Sequence, residues 1–235
     1  MKYLSGKKIR TTLFIVLLLF SFQGISQEIN FGVKGGINIS SLRGDYPTAI
    51  DKKKPSIGFH LGGFAEHYFT EEIAIQPELL FSRQGVSTEV VQNGSSITQS
   101  PRLNYLHLAL MGKYKVLESF YLEFGPQIGY TLSAKSKWEF VDPTDASNNE
   151  AVELDLLNGG AVDFLGATIE GAGRINKIDF GLNLGASYDL NENMFVQARY
   201  NLGLSIVDKN STSDESFDSW NLKNSVLQFS FGYKF

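Results

Sequence analysis

From Leu227 onward the chain alternates without a break. Leu227, Phe229, Phe231, Tyr233 and Phe235 are large and apolar, and Gln228, Ser230, Gly232 and Lys234 between them are small or polar. Successive side chains leave a strand on opposite faces, so this segment reads as a strand with one greasy and one wet face. Seven further segments carry the same period of two. In 177–190, Ile178, Phe180, Leu182, Leu184, Tyr188 and Leu190 oppose Lys177, Asp179, Gly181, Asn183, Gly185 and Asp189. In 194–206, Val196, Tyr200, Leu202 and Leu204 oppose Phe195, Gln197, Arg199, Asn201 and Gly203. Segments 29–39 and 120–132 are equally regular, and 57–69, 73–84 and 102–115 alternate less strictly. Each has about the 9–11 residues that a tilted membrane strand needs, or slightly more.

The connections set the expected topology. Thr70-Glu71-Glu72, Val116 to Ser119 and Asn191-Glu192-Asn193 are short, and long loops are expected at about 41–56, 85–101, 133–176 and 207–221. Strict alternation of short and long connections is the asymmetry of outer-membrane barrels, with short periplasmic turns and longer outer loops. A soluble β-sandwich or lipocalin would show the same period with its faces exchanged. Three features favour the membrane version. Aromatics gather near strand ends (Phe31, Phe69, Tyr114, Phe120, Tyr188, Tyr233), the polar face is rich in Gly, Asn, Gln and Ser, and the chain stops on Phe at the end of a strand. The expected fold is all-β, an eight-stranded antiparallel up-and-down transmembrane barrel. Ten strands is the alternative, if 151–176 supplies a further hairpin. Pro77 and Pro126 count against two of the strands, because each removes a ladder donor unless a bulge or an interface excuses it.

Composition fits one such domain. The 235 residues include 18 Phe, 10 Tyr and 23 Gly, a set that suits strands and tight turns. There is no cysteine, so disulfides, thiolate metal sites and a cysteine-linked lipid anchor are excluded. A formal charge of −4 argues against a nucleic-acid partner. Residues 1–26 read as a signal peptide: Lys2, Lys7, Lys8 and Arg10, then an apolar run from Leu13 to Phe22, then a cut between Ser26 and Gln27. The run is short for an uncleaved anchor, which needs about 20 apolar residues. The expected barrel domain is 27–235.

Four segments resemble the PorT-like family of outer-membrane β-barrel proteins of Bacteroidetes. They are Phe31-Gly-Val-Lys-Gly-Gly-Ile-Asn-Ile-Ser40, Tyr105-Leu-His-Leu-Ala-Leu-Met-Gly-Lys-Tyr114, Gly125-Pro-Gln-Ile-Gly-Tyr130 and Asp179-Phe-Gly-Leu-Asn-Leu-Gly185. The resemblance implies an outer-membrane location and, through PorT itself, an association with protein secretion. Leu227, Phe229, Phe231, Tyr233 and Phe235 also resemble the carboxy-terminal signal read by the barrel-assembly machinery. The same pattern serves as the lipid face of the last strand.

Candidate chemistry is sparse. Lys34, His60, Glu66, Glu78, Lys113, Glu123, Asp179 and Arg199 are expected to face inward and to pair across the lumen, since unpaired charges there are costly. An eight-stranded interior has room for side chains and little else. A proton path or a catalytic carboxylate pair is the sharper alternative. His60 and His67 are seven residues apart, on opposite faces, so a shared metal is not expected, and no nucleotide or hydrolase motif appears. Gly32, Gly35 and Gly36 read as packing glycines, not a phosphate cradle. No cofactor, metal or catalytic residue is expected.

The loop at 133–176 carries eight acids and three bases, and that at 207–221 four acids and one base. Divalent cations could bridge them to lipopolysaccharide; a merely solvated surface explains them as well. Trp138 and Trp220 are expected to anchor at the membrane surface. The leading expectation is a non-enzymatic scaffold or partner-binding barrel, bound to outer-membrane lipid and to envelope or secretion proteins. A small-solute transporter and a lipid- or peptide-modifying enzyme are the alternatives.

Overall fold

The computed structural model describes residues 29–44, 50–92, 94–170, 175–207 and 221–235. Ser26, Gln27, the rest of the expected signal peptide, Trp220 and most of 207–221 lie outside the described residues. Eleven strands follow in order: β1 (Ile29–Arg43), β2 (Lys52–Tyr68), β3 (Ile73–Gln92), β4 (Ser95–Leu117), β5 (Phe120–Val141), β6 (Glu150–Asp155), β7 (Ala161–Phe164), β8 (Ala167–Glu170), β9 (Ile178–Asp189), β10 (Met194–Gly203) and β11 (Lys223–Lys234).

Eight of them close a ring. β1 pairs with β2, β2 with β3, β3 with β4, β4 with β5, β5 with β9, β9 with β10, β10 with β11, and β11 with β1, all antiparallel. Closure leaves no edge within the ring, so every backbone donor finds a partner without water. The ten-strand alternative does not hold. β6 only extends the sheet beside the outer half of β5, at Lys135–Phe140, and β7–β8 is a separate hairpin.

The ring is of unequal height. β9 and β10 stop at Ile178 and Gly203, whereas β3, β4 and β5 run on to Gln92, Ser95 and Val141. The long loop expected at 85–101 is therefore mostly strand, with β3 running to Gln92, β4 starting at Ser95 and Gly94 in a turn. Residues 133–141, also expected as loop, continue β5. Alternation weakens there because beyond the membrane the outward face meets water and turns polar while the inward face packs on an apolar cluster. A bulge between Asn104 and Tyr105, opposite Leu132, exchanges the inward parity of β5 from odd to even positions. Neither Pro77 nor Pro126 sits at a bulge; both stay in register opposite Leu110 and Leu182 and face outward.

The outward file is a continuous apolar band. Phe31, Leu61, Leu79, Leu108, Phe124, Leu184, Val196 and Phe231 are all exposed. A soluble protein would not leave so large an apolar surface uncovered. At the short-turn end the band finishes in exposed aromatics: Phe31, Phe69, Tyr114, Tyr188 and Tyr233.

Candidate functional site: the sealed barrel interior

The inward files stack in layers. Nearest the short turns lies an aromatic floor, where the Phe64 and Phe195 rings meet edge to face at 5.6 Å. Gly32 and Gly232 make room for them, since a Cβ at either position would overlap one of these rings. The Lys113 Nζ stands 4.9 Å above the centre of the Tyr121 ring, which completes the floor.

Above it lies a layer of charge. Glu78 Oε1 accepts from Lys34 Nζ at 2.8 Å, and both Glu78 oxygens take the Arg199 guanidinium, at 2.7 and 2.8 Å. Arg199 Nη2 also donates to Glu123 Oε2 at 3.0 Å. Lys113 Nζ reaches Glu66 at 2.5 Å and stands 4.0 Å from Glu123. Lys234 Nζ lies 3.3 Å from Glu66 and 3.1 Å from Asp189. Gln76 donates to Glu78 at 2.8 Å and Gln197 to Glu123 at 2.6 Å. The chain of pairs reads Asp189, Lys234, Glu66, Lys113, Glu123, Arg199, Glu78, Lys34. It holds four cations and four carboxylates, one from each of the eight strands of the ring.

The third layer is neutral. His60 Nδ1 bonds Asn38 Oδ1 and its Nε2 bonds Ser230 Oγ, both at 2.8 Å. Asn38 Nδ2 donates to Ser82 Oγ at 2.9 Å, and Gln84 meets His107 at 3.1 Å. Tyr105 stacks on His107, and Asp179 accepts from Ser205 Oγ at 2.7 Å near the outer mouth.

The top layer is apolar. Leu42, Val86, Leu103, Ala134, Leu154, Leu156, Ile175, Val207 and Leu222 form a buried cluster under β6 and the β7–β8 hairpin. Trp138 belongs here, stacked edge-on to Phe164 at 6.0 Å, and not at the membrane surface as its loop–strand position suggested. A cavity of about 80 Å³ remains in this cap, lined mostly by Leu42, Val86, Leu103, Leu156, Val207 and Leu222.

All eight lumen residues named from the sequence are buried. Six of them (Lys34, Glu66, Glu78, Lys113, Glu123, Arg199) meet in the charged layer. His60 stands in the neutral layer and Asp179 apart from both. Sequence reasoning missed Lys234 and Asp189, although each shares the inward parity of its strand. It also missed the aromatic floor, because Phe64 and Phe195 break the rule that inward positions are polar. His67 faces outward beside Phe69. Among the described residues no group of three His, Asp or Glu side chains converges as a metal site would require.

A closed ring with an apolar outer face and a filled, charge-balanced interior defines a transmembrane β-barrel. A family model described as "Outer membrane protein beta-barrel domain" matches residues 23–209, and the chain belongs to that family. It is an outer-membrane β-barrel protein. No curated protein gives a match. Among solved structures it is similar to Ail of Yersinia pestis, crystallised with the heparin analogue sucrose octasulfate, at 13% identity over 88% of this chain and 99% of that one (TM-score 0.44). It is similar to the Neisserial surface protein A at 11% identity over 89% and 100% (TM-score 0.48). OprG of Pseudomonas aeruginosa is 15% identical over 89% and 97% (TM-score 0.37).

Proposed function

We propose that the protein is a non-conducting, non-enzymatic scaffold of the outer membrane whose outer cap binds a partner of the cell envelope. The observation that carries this reading is the charged layer: all eight strands contribute to one neutral cluster that fills the bore. An open pore would need those groups hydrated and apart, and a catalytic pair would need at least one of them free to meet a substrate. What the barrel offers to other molecules is therefore its rim, where β3–β6 and the β7–β8 hairpin stand clear of the membrane.

In this reading the chain enters the envelope through a signal peptide cut between Ser26 and Gln27. The file from Leu227 to Phe235 then serves the assembly machinery as well as the lipid. The resemblance to PorT-like proteins of Bacteroidetes makes a secretion component the first partner to look for.

A mild-detergent pull-down of the tagged protein from its own outer membrane, with mass spectrometry, tests the reading. Stoichiometric recovery of secretion or envelope components is the expected result; recovery of the barrel alone counts against it. Planar-bilayer recordings of the pure barrel should show no conductance, and a stable conductance would favour small-solute transport instead.

A further inference from the structure

The two ends of the lipid-facing band are finished differently. At the short-turn end it closes with aromatics, and the turns beyond carry Glu71, Glu72, Glu118 and Glu192. At the outer end the outward file of each of six neighbouring strands passes from apolar residues to a base. On β11 the order is Leu227, Ser225, Lys223, and on β1 it is Ile39, Ser41, Arg43. On β2 Ile57 gives way to Lys54 and Lys52; on β3 Phe81 is followed by Arg83. On β4 the order is Leu106, Asn104, Arg102, and on β5 it is Leu132, Ser133, Lys135, Lys137. Two residues along a tilted strand rise about 5 Å, which puts these charges in the headgroup layer just above the hydrocarbon.

Among the described residues the belt holds more positive charge than its carboxylates neutralise. Among the described residues that face outward in these rows, eight bases stand against four carboxylates (Glu89, Glu139, Glu153, Asp155). Lys52 and Lys54 share Glu89, while Arg102 and Lys135 share Glu153. Arg43, Arg83 and Lys223 form no ion pair within 4.0 Å among the described residues, and Arg43 Nη2 donates to the Gly203 carbonyl. Arg102 and Lys135 face each other across neighbouring strands with Glu153 bound to both, whereas Arg43 and Lys223, also directly opposite, have no carboxylate between them among the described residues. Such pairs destabilise a sheet unless an anion lies between them. The charged layer of the lumen, by contrast, is balanced, four cations against four carboxylates.

We propose that this belt binds the phosphates of outer-leaflet lipids directly. The ligand is a phosphorylated lipid headgroup, held by Arg43 with Lys223 on one side of the belt and by Arg83 on the other. Cations placed in the plane of anionic headgroups are attracted to them, and arginine forks suit phosphate oxygens. Direct contact replaces the cation bridge from acidic loops to lipopolysaccharide that the loop composition alone suggests.

The test uses the full mature chain in nanodiscs, with fluorescent lipid A carrying two phosphates and the same lipid enzymatically dephosphorylated. Binding of the phosphorylated form should be at least tenfold tighter and should weaken as salt is raised. Each of Arg43→Gln, Lys223→Gln and Arg83→Gln should lower it roughly fivefold. Lys115→Gln at the short-turn end should leave it unchanged, and heat-modifiable migration on gels shows that each variant is folded. Equal binding of the two lipid forms would overturn the proposal, as would undiminished binding by folded belt variants. Loss of binding on adding EDTA would also overturn it, in favour of a divalent bridge.

Discussion

The interior of this barrel changes character part of the way up, and the boundary follows the membrane. On β1 the inward file runs Lys34, Gly36, Asn38, Ser40 and then Leu42; on β3 it runs Gln76, Glu78, Leu80, Ser82, Gln84 and then Val86, polar but for Leu80 below the last position. Below that level the wall faces lipid, its outer side is apolar, and polar side chains can be placed only inside. Above it the wall faces water and the inside becomes apolar, as in a soluble protein. One continuous strand thus obeys two rules, because the hydrophobic effect acts on whichever face water reaches. The lower region is held by directional pairs and tolerates no missing member. The upper region is held by burial, and its cost for a lost group scales with the area uncovered.

The sharpest way to break that contrast is at Glu78, which accepts from Lys34, Gln76 and Arg199. Glu78→Gln leaves the buried Lys34 without its carboxylate and Arg199 with Glu123 alone, which costs about 4 kcal/mol. Urea unfolding in lipid vesicles should report that loss for the whole barrel. A loss below 1 kcal/mol would mean that water hydrates the layer, and the sealed interior would have to be given up. In the cap, Leu154→Ala should cost about 3 kcal/mol, through lost burial and the space left behind. Its effect is local: proteolysis within 142–177 should accelerate while the barrel keeps its heat-modifiable migration. Global unfolding of this variant would show that cap and barrel are one cooperative unit.

Exchanging polar for apolar groups of similar size sharpens the comparison further. Asn38→Val removes the amide that holds Ser82 and leaves the His60 and Gln228 bonds without their acceptor, at about 2 kcal/mol. Thr88→Val, in the cap, deletes only one long bond of 3.4 Å to Gln99, too long to contribute much, and should be neutral or slightly stabilising. Equal costs for the two, measured by the same urea titration, would mean that the layers do not differ.

The ring was legible in the sequence wherever lipid lay on one side, because lipid demands an unbroken apolar file. Leu227 to Phe235 and Ile178 to Leu190 announce themselves for that reason. The outer halves of β3, β4 and β5 were not legible, since Ser87, Gln99 and Ser136 meet no such demand and read as loop. Inward parity placed Lys34, Glu66, Glu78, Lys113, Glu123 and Arg199 inside, but parity does not encode height. Asp179 therefore could not be separated from the charged layer, where Asp189 and Lys234 belong and it does not. The one-per-strand composition of that layer is a property of closure, visible only when first and last strands are side by side.

The smallest effect is expected where the cap meets the headgroups, at Glu153. Its carboxylate takes Lys135 Nζ at 2.8 Å and lies 3.4 Å from Arg102, with all three side chains open to solvent. The hydrogen bond from Lys135, helped by that lysine's charge, holds Glu153 below the usual carboxylate range. A lowered carboxylate contributes stability above its ordinary pKa of about 4.3 and loses it as pH falls through the lowered value. Solvent and salt screen the pair, so Glu153→Gln should leave the unfolding midpoint where it is. The bridge should instead appear in the titration of the Glu153 carboxyl carbon by NMR, with a midpoint below that of a free glutamate that returns towards it in Lys135→Met. If the wild-type midpoint already equals that of a free glutamate, the bridge is open in solution. Lys135 is then unclaimed by protein, which adds one more free cation to the belt and leaves the buried pairs as the only ones that hold the barrel together.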